Sequence, residues 1–193
     1  MQNEARINLL ARVARAAPPL APVDAGRSGS ILAMAAASYG SRPSGDATVP
    51  TGFDPLAVAL FEAIVEGAYL VATSDGVFDD EERRTFEKVV VTACGGVVAP
   101  PQIAALVKDL SDQLEEDGVD RRIEMIGRAV TRKDHAREIL RIAALLAYVS
   151  DDVSPVEREV LVKLAGVLAI DAGDVDLALV EAREALGRAQ ANS

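Results

Sequence analysis

The feature that most restricts this chain is a helix, an acidic turn and a second helix that occur twice. Ala68-Tyr69-Leu70-Val71-Ala72-Thr73-Ser74-Asp75 is matched by Ala144-Leu145-Leu146-Ala147-Tyr148-Val149-Ser150-Asp151. After a gap of one residue, Asp79, Glu82, Arg83, Phe86 and Val89 align with Ser154, Glu157, Arg158, Leu161 and Leu164. A unit of this size cannot bury its apolar face alone, so duplication predicts two copies sharing one core. Each half reads as helix, acidic turn, helix, loop, helix, and strand-like alternation never extends beyond a few residues. The expectation is an all-α bundle of about seven helices with an internal pseudo-twofold repeat, preceded by a flexible N-terminal arm.

Punctuation residues bound the helices. Asp54-Pro55 supplies an N-cap and a proline at the first helical position, and the apolar positions Val58, Phe61, Ile64, Val65, Ala68 and Val71 follow the 3.6 period. Gly67, in the middle of that helix, points to a neighbouring backbone lying close. Asp79 with Glu82, and Ser154 with Glu157, form capping boxes. Gly95-Gly96 stop one helix and Pro100-Pro101 open the next. A weaker helix runs from Asp120 to Thr131, and Asp171 or Asp174 caps the last one. With seven Phe and Tyr residues in all and no Trp, the core must be built from Ala, Val, Leu and Ile, which suits closely packed helices.

The first 53 residues differ in character. Residues 1–16 read as a short basic amphipathic helix, with Ile7, Leu10, Val13 and Ala14 on one stripe. Residues 17–53 mix Pro, Gly, Ser and Ala without a sustained period and read as a mostly disordered linker, with a short helical patch open around Ile31–Ala37. The folded domain is expected over 54–190. Two readings compete for the leading helix: docking on a partner groove or an anionic membrane, or packing against its own domain.

Charge narrows the range of functions. Five Arg against three acids leave +2 in residues 1–53, so the total of −10 puts −12 on residues 54–193. Such a domain repels phosphate backbones, which argues against nucleic-acid binding and favours cations or a basic partner surface. The longest uncharged apolar run considered, from Ile142, is far short of the roughly 20 residues that span a bilayer. Arg6, Arg12 and Arg15 interrupt any signal-like run, and a lone cysteine fits a reducing compartment, so a cytoplasmic protein without a transmembrane segment is expected. Peripheral membrane association stays open.

Two accounts of the acidic turns stand side by side. As helix punctuation, Asp79, Glu82, Ser154 and Glu157 are fully explained by capping, each charge contributing about 0.3–1 kcal/mol. Asp75 and Asp151 are harder, because they sit at helix C-ends where the dipole disfavours negative charge. Arg83 or Arg158, local turn hydrogen bonds or a bound cation could compensate them, and clustered carboxylates suit Ca²⁺ or Mg²⁺. The spacing is not that of an EF-hand. Glu62 and Glu66 either face water or join Asp75 in a negative groove. His135 has no second His or Cys with which to build a zinc site, and Cys94 reads as a small buried hydrophobe.

The Ala-rich helix, the turns "SDGVFDDEER" and "SDDVSPVER", and the closing "LAGVLAIDAGDVDLALVEAREAL" resemble the tellurite-resistance TerB family over roughly Asp54 to Leu186. The resemblance implies an all-helical domain with acidic clusters that bind divalent cations, acting in stress-response or membrane-linked complexes rather than in catalysis. It carries over to Asp75, Gly76 and Glu82 in the first half and to Asp151 and Glu157 in the second. Asp152 replaces the glycine in the second half, which breaks the symmetry of any cation site.

The resulting expectation is a non-enzymatic interaction module. Its candidate metal ligands are Asp75, Asp79, Glu82, Asp151 and Glu157, its cation Ca²⁺ or Mg²⁺, and its protein partners are met through residues 1–16. The alternative is a metal-free scaffold whose acids are caps, recruited through the N-terminal helix.

Overall fold

In a computed structural model, the described residues are 2–16, 30–41, 54–76, 78–149 and 152–191. The helix α3 (Pro55–Ala72) lies at the centre of the fold, with Phe61, Ile64, Val65, Ala68, Leu70 and Val71 all buried. It packs most extensively on α7 (Lys133–Leu146), whose Ile139, Ala143 and Leu145 are equally inaccessible. Around this pair stand α4 (Asp80–Ala93), α5 (Pro100–Asp117), α6 (Val119–Ala129), α8 (Pro155–Val167) and α9 (Ala172–Ala191). These are the seven helices expected of the domain, and no strand occurs among the described residues.

Most expected boundaries are met. The Asp54 carboxylate accepts the Leu56 N–H at 2.9 Å, Gly95 and Gly96 both adopt positive φ after α4, and Asp171 caps α9 by accepting the Gly173 N–H at 2.8 Å. Gly67 marks a close approach of side chains rather than backbone. A Cβ there would lie 2.9 Å from Ile139 Cγ2 and 3.4 Å from Leu164 Cδ2, so the glycine lets α7 and α8 close on α3. By length and hydropathy α3 could cross a membrane, but it carries Glu62 and Glu66, and two thirds of it is buried inside the bundle as a core helix.

The N-terminal region departs from expectation. The basic helix α1 (Gln2–Arg15) is not a free arm: Ile7, Leu10, Ala11 and Ala14 are buried against α4, α7 and α9. Within the stretch read as linker, Ile31–Gly40 forms a helix, α2, that buries Leu32, Ala35, Ala36 and Tyr39 on α3. The Tyr39 ring sits 4.7 Å from that of Phe61. The remainder of that stretch, 17–29 and 42–53, lies outside the described residues.

Two charged residues of α7 explain the docking. Glu138, 2 % exposed, accepts the Leu32 N–H at 3.4 Å and the Ser30 hydroxyl at 3.5 Å, at the start of α2. Arg141 pairs with Glu138 at 2.8 Å and donates to Val13 O at 3.3 Å and Ala14 O at 2.8 Å, at the end of α1. An anion therefore meets a helix N-terminus and a cation a helix C-terminus, as the macrodipoles favour. Local composition could not reveal this, because the stabilising partners lie over 100 residues away.

Candidate functional site

The first acidic turn is built by the end of α3. Thr73 Oγ1 donates to Tyr69 O at 2.9 Å and Ser74 Oγ to Val71 O at 2.8 Å, so these hydroxyls take up the last carbonyls of the helix. Gly76 then adopts φ +79°, and Phe78 folds back against Tyr69 and Phe86 at centroid distances of 5.4 and 6.1 Å. This aromatic cluster holds the turn against the core and fixes where α4 begins. There Asp79 Oδ1 accepts the Glu81 and Glu82 N–H groups at 2.8 and 2.9 Å, and Glu82 returns a carboxylate to the Asp79 N–H at 3.2 Å.

The second turn repeats the reciprocal cap. Ser154 Oγ accepts the Glu157 N–H at 3.2 Å, and Glu157 Oε2 accepts the Ser154 N–H at 2.7 Å. Here the acid is buried: Glu157 is 3 % exposed. Burial pushes its carboxyl above the usual range, and the nearby charges of Asp75 and Glu82 push the same way. The charges of the first turn are thus felt at the buried acid of the second, about 75 residues away in sequence.

Of the five candidate ligands, Asp75 and Asp79 are exposed, Glu82 is half-buried and Glu157 is buried. Asp151 lies outside the described residues. Asp79, Glu82 and Glu157 each spend an oxygen on a backbone N–H. Among the described residues, no group of three or more His, Cys, Asp or Glu is arranged to hold a metal ion. The arginines suggested as counter-charges are paired elsewhere, Arg83 with Asp80 at 2.9 Å and Arg158 with Asp176 at 2.8 Å.

Beside the first turn runs an open groove of about 850 Å³, lined by Arg6 and Leu10 of α1, Asp79 and Glu82 of α4, and Tyr148 and Leu186. His135 is half-buried beside Asp134, and desolvation lowers its pKa. Cys94 is buried and its thiol is pushed up to about 12, chiefly by desolvation, so it is unreactive in the folded chain.

A second charged cluster lies outside the turns. Glu66 neither faces water nor joins Asp75: it is 8 % exposed and accepts from Arg122 at 2.6 Å, while Arg122 also pairs with Asp117 at 3.1 Å. Burial still holds the Glu66 carboxyl above its ordinary range, against the pull of Arg122. The signal was present in register: Arg122 stands four residues before Ile126, and Glu138 four before Ile142, each on a buried stripe.

Compared with known proteins, residues 61–180 match the family model described as tellurite resistance protein TerB. The chain belongs to the TerB family. The match covers both acidic turns and helices α4 to α8 in full, so the resemblance first seen in the turn motifs extends across the TerB core. Comparisons with curated proteins and with solved structures return no match. In this TerB chain α1 and α2 lie outside the matched residues yet pack on the matched core.

Proposed function

We propose that this TerB-family chain is a non-enzymatic interaction module, acting in a cytoplasmic stress-response or membrane-associated complex, whose recognition surface is the face formed by the two acidic turns. The observation that carries the reading is the like-charge influence of Asp75 and Glu82, in the first turn, on the buried Glu157 of the second. A face of like charges beside two helix caps attracts a basic partner surface over distance and orients it. The alternative of a scaffold whose acids serve as caps is compatible with it, since capping residues build the face and exposed acids beside them supply its charge. The family is generally not an enzyme family, and of the turn acids Asp79, Glu82 and Glu157 are engaged in caps and Asp80 in an ion pair.

The test leaves the caps intact. Replacing the exposed acids Asp75→Asn and Asp80→Asn in the full chain lowers the amount of captured partner and flattens the salt dependence of capture. Capture that is unchanged in amount and in salt dependence overturns the reading.

A second reading, cation binding, is favoured by the same like-charge influence. It needs a ligand beyond the described carboxylates, and Asp151 is the one the sequence offers. Calorimetric titration of the full chain with CaCl₂ and MgCl₂ tests it. Binding that vanishes in Asp75→Asn/Asp151→Asn supports it; no heat with either salt ends it.

A further inference from the structure

One cation of the chain's own stands at the acidic face. Arg6, on α1, donates to Tyr148 O at 2.6 Å, two positions before Ser150, where the sequence of the second acidic turn begins. The same side chain borders the groove of about 850 Å³ beside the first turn. Among the described residues, the charged ones bordering that groove are Arg6, Asp79, Glu81 and Glu82; Glu4, the acid of α1, is not one of them. Three acids against one arginine leave a formal −2 there.

Arg6 is held in this place. Its neighbours Ile7, Leu9 and Leu10 are buried in the core, which fixes the helix that carries it. Its acceptor is fixed too: the Tyr148 hydroxyl donates to Leu179 O at 3.3 Å, and the Arg183 guanidinium lies 5.8 Å from the Tyr148 ring centroid. Other arginines near the turns are paired with acids outside the groove, Arg83 with Asp80 at 2.9 Å and Arg183 with Asp152 at 3.3 Å. Arg6 also comes from a helix outside the matched TerB residues, so the cation is supplied to the matched core from beyond it.

From this placement we infer that Arg6 is a built-in counter-ion, an autoinhibitory contact by which the docked α1 weakens the acidic face for basic ligands. The inference rests on the acidic-face reading above and concerns the regulation of that same face. Across an open groove, Arg6 repels an incoming lysine or arginine and offsets part of the pull of the three acids. A ligand with a single positive charge therefore gains little. A basic segment with several charges along its length reaches the acids on either side of Arg6 and is the favoured class. Helix α1 stays in place throughout.

The test uses the full chain and a fluorescein-labelled hexalysine peptide, followed by fluorescence anisotropy at low salt. Arg6→Gln should tighten binding about fivefold. Arg12→Gln removes the same charge from α1, but Arg12 borders a different groove beside Arg141, Arg188 and Glu181, so its effect should stay below about twofold. Arg6→Lys, which keeps the charge, should bind as the unmodified chain does. Asn3→Lys adds a second cation to the groove at an exposed position and should weaken binding about fivefold. Hydrogen exchange reports whether α1 stays docked; where Arg6→Gln loosens it, Asn3→Lys decides. Equal effects of Arg6→Gln and Arg12→Gln, or Asn3→Lys binding as the unmodified chain does, overturn the inference. Capture unchanged by Asp75→Asn with Asp80→Asn defeats the acidic-face reading, whereas a capture effect there with Arg6→Gln no different from Arg12→Gln defeats the counter-ion alone.

Discussion

Glu138 and Arg141, one turn apart on α7, form a buried ion pair at 2.8 Å whose two ends hold two other helices: Glu138 the start of α2, Arg141 the end of α1. The pair makes the N-terminal segment part of the fold. Removing one member strands the other. Glu138→Ala should destabilise by about 3 kcal/mol in urea unfolding, because Arg141 keeps only the α1 carbonyls Val13 O and Ala14 O and the Leu32 N–H loses its acceptor. Replacing both, as Glu138→Leu with Arg141→Met, should cost less than Glu138→Ala alone, and a double-mutant cycle measures the difference.

The Glu66–Arg122–Asp117 cluster joins α3, α5 and α6 in the same way. Arg122→Ala leaves Glu66 buried beside Glu62 without its cation, and about 3 kcal/mol or more should be lost in the same unfolding measurement. Substitution of the exposed Arg128, paired with Glu124 at 3.3 Å on the surface, should change stability by less than about 1 kcal/mol.

The folded-state pKa of Glu157 lies above the ordinary 4.5, through burial first and then the charges of Asp75 and Glu82. The folded chain therefore binds this proton more tightly than the unfolded chain does. Its contribution to stability is fully present below the unfolded pKa and is lost as pH rises through the raised folded pKa. Tm should rise as pH is lowered through that raised pKa towards 4.5, and Glu157→Gln should reduce the rise. Because the glutamine amide oxygen remains an acceptor for the Ser154 N–H, the cap itself should persist in that variant.

Two backbone positions should respond in opposite directions. Ala169 ends α8 at φ +54°, with Ile170 N–H donating to Ala165 O at 2.9 Å, a left-handed helix stop that favours glycine. Ala169→Gly should stabilise by about 1 kcal/mol. Gly40 ends α2 against the α4–α5 loop, where an added Cβ would sit 1.9 Å from Val97 O. Gly40→Ala should lower Tm by several degrees, on the scale of 1 kcal/mol for about 2–4 °C in a chain this size.

Much of the fold could be read from the residues in order. The 3.6 period, the caps at Asp54, Asp79 and Ser154, and the glycine stop at Gly95-Gly96 act over one turn of chain, so their outcome depends on neighbours in sequence. The acidic turns were legible for the same reason, as was family membership, which rests on those motifs. The sequence did not reveal that Glu157 is buried within reach of Asp75 and Glu82, or that Glu66 turns to Arg122. Those are relations between residues more than 50 positions apart.

By itself, then, the sequence determined helix content and helix ends, because propensity, capping and periodicity are local. Only the tertiary structure decided that α1 and α2 join the core. Their apolar stripes are short, and they become buried only where α3, α4, α7 and α9 meet them. What fixes them besides that burial is the Glu138–Arg141 pair of α7 and, for α1, the C-terminal carbonyls of α4, α7 and α9, which exist as a site only once those helices are assembled.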